Sequence, residues 1–292
     1  MPAEIDIVIV NWNAGDLLRA CVQSVLDHAG DTVARIIVVD NGSVDGSLRR
    51  LPADPRIVVD ETGENLGFGR ACNRGAAIGD APYLLFLNPD TQLYPSTLAD
   101  VLAFMEAAAN ARVGVCGIRL IEDDGAIQQH TTDFPTPANI YRVESFRTPF
   151  DHASDRRVSH TIGAFYFIRR PLFETLGGFD ERFFVYFEDL DLSRRVHAAG
   201  WTIQYLASTA AYHKGGGTSE AVKARRLCYS LSSRLRYSRK HFGALGHAGV
   251  VAMTFTLEPL LRIARALRRG STAEIGETLA AYRMLLDRDS RR

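Results

Sequence analysis

IDIVIVNWN, residues 5–13, decides how the rest of the chain is read. Apart from Asp6 its apolar run does not alternate with polar residues, so it suits a strand buried on both faces of a parallel sheet. After Gly15, Leu17, Leu18, Cys21, Val22, Val25 and Leu26 recur at helical spacing. The unit then repeats. IIVVDNGS (36–43) is a second strand that ends at Asp40 and a turn, and RIVVDE (56–61) is a short third. The glycine-rich NLGFGRACNRG (65–75) leads into a helix, and APYLLFLNPDT (81–91) is a fourth strand with a polar end. Strands alternating with helices from Ile5 to Asn110 predict an α/β fold: a mostly parallel central sheet flanked by helices on both faces. In such sheets ligands bind outside the carboxyl ends of the strands, where Asn11, Trp12, Asp40 and Asp90 all fall.

The middle of the chain is less regular. GVCGIRLIEDDGAIQQH (114–130) suggests a strand, a turn and a short strand. Residues 130–157 hold Pro135, Pro137 and Pro149 with little periodicity, which predicts a loop or flap over the site. SHTIGAFYFIRRPLFETLGGFDE (159–181) returns to a strand, followed by a helix opened by Pro171 and stopped near Gly177–Gly178. FFVYFEDLDLSRR (183–195) then sets Glu188, Asp189 and Asp191 behind an aromatic rim, with a helix starting near Asp189 and ending by Gly200. Adjacent residues point different ways, so Glu188 and Asp189 are expected to have different surroundings. Desolvation would raise a carboxyl pKa here, whereas a helix N-terminus would lower it. The strand WTIQYLASTAAYH (201–213) runs into Lys214 and a glycine loop.

Charge is unevenly spread. The chain is formally neutral, which gives no reason to expect a nucleic-acid partner. Yet residues 221–292 carry 15 Lys or Arg against 5 Asp or Glu, so the remainder carries an equal acidic excess. A basic helical tail of this kind suits an anionic membrane, an acidic partner or simply a solvated helix face. HFGALGHAGVVAMTFTLEPLL (241–261) is apolar, but His247, Glu258 and Pro259 interrupt it, so a peripheral or buried helix is expected in place of a crossing one. Cys21, Cys72, Cys116 and Cys228 are scattered, with neither metal nor disulfide spacing. The start, MPAEIDIVIV, has no basic leader or cleavage site, and a reducing cytoplasmic location is expected.

Single motifs leave alternatives open. Asp40 suits a turn carboxylate as well as an acceptor for a base N–H or ribose hydroxyl, and Trp12 suits core packing as well as base stacking. Asn88 and Asp90 project to one side of an extended segment, compatible with a divalent ion or an Asx turn. His213 suits a metal, a phosphate or a strand-end hydrogen bond. NLGFGRACNRG is not GxGxxG and follows the third strand, and there is no Walker A sequence, so a nicotinamide enzyme or an ATPase has little support.

In order, IVIVNWN, IIVVDNGSVDGS, NLGFGRACNRG, LFLNPDT, the stretch from Gly163 to Trp201 and AYHKGGG resemble the family 2 inverting glycosyltransferases of GT-A fold. The nearest resemblance is to the rhamnosyltransferase-like branch of bacterial polysaccharide synthesis. It covers residues 5–217, placing a catalytic domain at 1–220 and a basic helical extension at 221–292. The resemblance implies a nucleotide-binding group of Asn11, Trp12, Asp40, Asn65, Gly67, Asn73 and Asn88. It implies Asp90 and His213 at a Mg²⁺ or Mn²⁺ ion, with Lys214 and Gly215 at a lid over the diphosphate. Gly163, Ala164 and Trp201 fall on the acceptor side, and Asp189 is the catalytic base inside a Glu188–Asp189 pair. Asn88 stands where the DxD metal motif has its first acid, which leaves Asp90 as that motif's carboxylate. The implied substrates are a nucleotide sugar, dTDP-rhamnose above all, and a saccharide or polyprenyl-linked acceptor. Peripheral contact with the inner face of the membrane and a homodimer are further expectations. A nucleotidyltransferase would need a basic glycine-rich loop after the first strand, which NWNAG is not. A non-catalytic saccharide-binding or assembly protein on the same fold would be favoured by loss of both Asp90 and Asp189, and both are present.

Overall fold

The computed structural model describes residues 4–28, 30–128, 133–141, 152–215 and 223–287. The chain opens with β1 (Ile5–Asn11), α1 (Asp16–His28), β2 (Val33–Asp40), β3 (Ile57–Glu61), α2 (Phe68–Ala76) and β4 (Tyr83–Leu87). It continues through β5 (Thr91–Leu93), α3 (Thr97–Glu106), β6 (Val113–Ile121), β7 (Arg156–Val158), β8 (Phe165–Arg169) and α4 (Arg170–Thr175). Then come α5 (Glu188–Ala198), β9 (Thr202–His213), α6 (Lys223–His241), α7 (Ala244–Phe255), α8 (Leu257–Arg268) and α9 (Thr272–Leu286).

The strands form one sheet in the order β3-β2-β1-β4-β8-β6-β9-β5, with β7 beside β9. Its first half is parallel, as expected. The second half is mixed: β8 runs antiparallel to β4 and β6, and β5 and β7 run antiparallel to β9. β5 and β7 were not evident as strands because each is three residues long and too short to show a period.

The core explains the unbroken apolar run of β1. Ile5, Ile7 and Ile9 join a cluster with Leu18, Val22 and Val25 of α1, while Val8 and Val10 join Cys72 of α2 and Leu192 and Val196 of α5. A strand covered by helices on both sides needs apolar residues at both parities. Asp6 is the exception. It is fully buried near the other end of the strand, where the Arg170 guanidinium lies 2.8 Å from its carboxylate.

α6 is seated on the segment that leads into α5. Ser233 donates to the Val185 carbonyl at 2.7 Å, and Tyr229 and Tyr237 contact Phe184 and Phe187 at ring separations of 4.5 and 5.4 Å. α7 to α9 pack around α6 and one another, and the buried pair Arg234–Glu258 fixes α8 to α6. The segment interrupted in sequence is nearly continuous in space. Ala244–Arg268 is long and apolar enough to cross a membrane by length and composition, with only 11% of its most apolar window buried.

Candidate active site

Parallel pairing sets Asn11 opposite Asp40, so the last residues of β1 and β2 share one edge. The Asn11 amide nitrogen lies 2.7 Å from Asp40 Oδ1, 2.8 Å from Ser47 Oγ and 3.0 Å from Ser43 Oγ. Asp40 Oδ2 accepts the Ser43 N–H at 3.0 Å. Each carboxylate oxygen thus has a protein donor and retains capacity for a second. Half-buried Trp12 follows directly. Asn41, which no sequence pattern singled out, ties down the next segment: it accepts the Leu66 N–H and donates to the Gly67 carbonyl. Asn65 accepts the Gly67 N–H at 3.0 Å. Gly67 has φ +86°, and an added Cβ would lie 2.4 Å from the Phe184 carbonyl oxygen. Only glycine lets this segment approach the loop that precedes Glu188.

Three expected site residues do not face the strand-end cleft. Asn73, expected over the nucleoside, has its amide engaged by both backbone groups of Phe179 and by Glu181, so it holds α2 to the 179–181 segment. Trp201, expected on the acceptor side, lies at the start of β9, beside Gly114 and under the Arg112 guanidinium. It is therefore separated from the site by the length of that strand. Glu188, expected to share the chemistry, turns toward Gly69 and is 4% exposed. Burial and the neighbouring Asp189 charge push its carboxyl well above the usual range, and Oε2 has no hydrogen-bond partner among the described residues.

A second group forms where β5 pairs with β9. Thr91 opposite His213 brings Asp90 beside the histidine, with Nε2 of the ring 3.3 Å from Asp90 Oδ1. His213 Nδ1 lies 2.7 Å from Gln128 Oε1, and the Gln128 amide nitrogen donates to Glu122, which fixes Oε1 toward the ring. An acceptor at Oε1 suits the tautomer with its proton on Nδ1, and the buried Nε2, with no hydrogen-bond partner among the described residues, is then turned toward Asp90. A carboxylate and an imidazole lone pair fit a divalent cation whose remaining ligands come from a diphosphate. Among the described residues no three His, Cys, Asp or Glu side chains are placed to hold a metal ion by themselves. Asn88 is nearby with its backbone engaged: its N–H donates to the Ala164 carbonyl, and its carbonyl accepts from Thr91. The Lys214 N–H donates to the Asp90 carbonyl, which places Lys214 and Gly215 at the mouth. The rest of the expected glycine lid, 216–220, lies outside the described residues, as do 130–132 and 142–151 of the expected flap.

The third group is the start of α5. Asp189 Oδ2 accepts the Gly163 N–H at 3.0 Å, Oδ1 accepts the Leu190 N–H at 2.8 Å, and the side chain is 15% exposed. Gly163 thus acts through its backbone, and buried Ala164 through a carbonyl that braces the Asn88 turn. Beside Asp189 is a residue that sequence reasoning missed. His160 Nε2 lies 3.8 Å from Asp189 Oδ2, and Nδ1 lies 2.9 Å from Ser193 Oγ, itself 3.1 Å from the Tyr166 hydroxyl. Burial pushes this imidazole's pKa down, against the opposing pull of the Asp189 charge. A lone histidine ahead of a strand carries no signal of this role.

The loop into α5 is strained. Tyr186 and Phe187 both have φ of +69°, costly for bulky residues. The α6 contacts to Phe184, Val185 and Phe187 hold it. Asp191, two residues past Asp189, completes the clamp. It is fully buried and takes Arg195, Lys240 and His241 as partners at 2.8, 2.6 and 2.7 Å. Burial alone would raise its pKa, but the His241 and Lys240 hydrogen bonds and the Arg195 charge hold it below the usual range.

Residues 6–177 match the pattern of glycosyl transferase family 2. The chain belongs to that family. It is a glycosyltransferase, moving a sugar from a nucleotide-sugar donor to an acceptor. Among curated relatives, the N-acetylglucosaminyl-diphospho-decaprenol L-rhamnosyltransferase of Mycobacterium tuberculosis is 28% identical, over 81% of this chain and 85% of that protein. The rhamnosyltransferase WbbL of Escherichia coli K12 is 25% identical, over 79% of this chain and 91% of that one. The fold is GT-A-like. The crystal structure of GalNAc-T7 with UDP, GalNAc and Mn²⁺ superposes with a TM-score of 0.62 at 17% identity, covering 83% of this chain and 49% of that one. The mannosyltransferase PcManGT of Pyrobaculum calidifontis, solved with GDP-Man and Mn²⁺, gives 0.57 at 17% identity, covering 100% and 83%.

Proposed function

We propose that this glycosyltransferase moves L-rhamnose from dTDP-rhamnose to a hydroxyl of a polyprenyl-linked saccharide, with inversion, in cell-surface polysaccharide synthesis. The observation that carries the reading is Asp189: a carboxylate oriented by the Gly163 N–H, open to the cleft, while Glu188 beside it is buried. Asp189 takes the proton of the acceptor hydroxyl as its oxygen attacks the anomeric carbon from the face opposite the diphosphate. A single displacement of this kind inverts the anomeric centre and needs no protein nucleophile. His160 lies 3.8 Å from Oδ2, the oxygen of Asp189 that accepts the Gly163 N–H.

Asn11 and Ser43 hold Asp40 for the base or ribose, with Trp12 beside it. Asp90 and His213 would hold Mg²⁺ or Mn²⁺, which when bound offsets charge on the departing diphosphate. Lys214 at the same mouth adds a positive charge for those phosphates.

The donor and acceptor rest on the rhamnosyltransferase relatives, one of which is named for a diphospho-decaprenol acceptor. Peripheral contact with the inner face of the cytoplasmic membrane rests on the apolar face of α7 and α8, where Leu245 and Leu260 are 90% and 64% exposed. Glu258, held by Arg234 and Arg262, keeps α8 against the protein and so favours a helix lying on the membrane over one crossing it. The test is transfer from a panel of nucleotide sugars with Mg²⁺ or Mn²⁺ to a lipid-linked saccharide, with the product anomer read by NMR. Turnover with dTDP-rhamnose and an inverted product are expected. Preference for another donor removes rhamnose from the reading, and a retained configuration removes the single displacement.

A further inference from the structure

A cavity of 740 Å³ lies behind the base loop, between Leu66–Arg70, Glu181–Phe184 and one side of α6. Five cations line it, Arg70, Arg182, Arg236, Arg239 and Lys240, against one carboxylate, Glu181. Arg182 and Lys240 are answered by Asp180, and Arg70 is 3.8 Å from Glu181. Arg239 has no carboxylate within ion-pair distance among the described residues. The cavity continues into a second of 310 Å³, which shares Ser232, Arg236, Arg239 and Leu285 with it. That second cavity is an apolar groove between α6, α7 and α9, walled by Leu235, Val251, Phe255 and Leu285. Phe255 is also 37% exposed and belongs to the outward apolar face of α7 and α8. A cationic chamber thus leads through an apolar groove to an apolar surface.

We propose that these two cavities form one binding site for a prenyl phosphate or diphosphate, with the head group among Arg70, Arg236 and Arg239 and the chain along Leu235, Val251 and Phe255. The proposal rests on the lipid-linked acceptor reading above and gives that acceptor a place. A free nucleotide or inorganic phosphate would use only the cationic half. An amphiphile uses both, and its chain leaves toward the surface where the remainder of a long prenyl tail stays in lipid. The cationic half is walled by the loop that Gly67 brings against Phe184, five residues before Asp189 in the chain. A head group there keeps the attached saccharide on the base side of the molecule.

The test is direct binding of farnesyl diphosphate to the full chain, alongside inorganic diphosphate, farnesol and dTDP. Farnesyl diphosphate is expected to bind at least about tenfold more tightly than inorganic diphosphate or farnesol and not to compete with dTDP. Arg239→Glu is expected to weaken farnesyl diphosphate by about tenfold or more, and Val251→Asp to weaken it while leaving inorganic diphosphate unchanged. Melting curves show that each variant folds. If farnesyl diphosphate binds no better than inorganic diphosphate, if dTDP displaces it, or if a folded Arg239→Glu protein binds it as wild type does, the site is overturned. Failure of dTDP to bind the wild type would instead overturn the donor reading, and would leave the outcome with farnesyl diphosphate to stand by itself.

Discussion

The strand-end platform and the α5 wall face each other across the cleft and are built by different means. On the platform, Asn11, Asp40 and Ser43 pair with one another at the ends of two paired strands, and Asn41 ties the Leu66–Gly67 segment to them. On the wall, Asp189 follows two residues with positive φ and a buried, partly unsatisfied Glu188. That arrangement survives because α6 is fastened to it from outside the sheet. The difference teaches where each half takes its rigidity. The platform is stiff because its polar groups pair locally, and the wall is stiff because Asp191, Ser233 and Tyr237 anchor it to a distant helix. A receiving surface for the donor needs only fixed partners. A base must be held in one orientation while remaining reactive, and strain paid for elsewhere supplies that.

The comparison can be broken most sharply at Asp189. Asp189→Asn is expected to lower transfer by about 10³-fold while leaving dTDP affinity within about a factor of two, because it removes the base and keeps the shape. Equal loss of both, by steady-state rates and nucleotide titration, would mean that wall and platform are not separable. Asp191→Ala should cost about 3–5 kcal/mol in urea unfolding, since it leaves Arg195, Lys240 and His241 without their shared partner around a buried gap. A change under about 1 kcal/mol would show that α6 does not hold the wall. His213→Ala is expected to reduce Mn²⁺-supported turnover on the order of 10²-fold. Gln128→Ala, which frees the ring to rotate, should weaken Mn²⁺ by about tenfold in a metal titration.

The smallest effect concerns Glu188. Its folded pKa is raised, so above about pH 4.5 the unfolded chain gives up a proton that the folded chain keeps. Stability therefore falls as pH rises through that window, by up to about 1.4 kcal/mol per pH unit, the slope for one proton. Glu188→Gln removes the dependence and should raise the melting temperature more at pH 8 than at pH 5. An equal shift at both values would mean that Glu188 is ionised in the folded protein.

Local pattern carried the platform. β-branched runs without alternation can be satisfied only by burial on both faces, so Ile5–Asn11 and Val33–Asp40 reveal a parallel sheet, and their polar ends reveal a site. The Glu188–Asp189 pair was also visible, as was the likelihood of different surroundings for adjacent side chains. Which of the two faces the cleft was not, because the answer depends on Gly69 and Gly163, from different elements, lying on opposite sides of the helix start. Asn73 and Trp201 looked like site residues because each stands in a family motif, yet their side chains are engaged elsewhere. Sequence alone thus determined the alternation of elements and the family, since those follow from periodicity and residue type within short windows. Tertiary structure alone decided the Asp90–His213 meeting, His160 beside Asp189 and the clamp by α6, because each joins residues far apart in the chain through strand pairing or helix packing that no local pattern encodes.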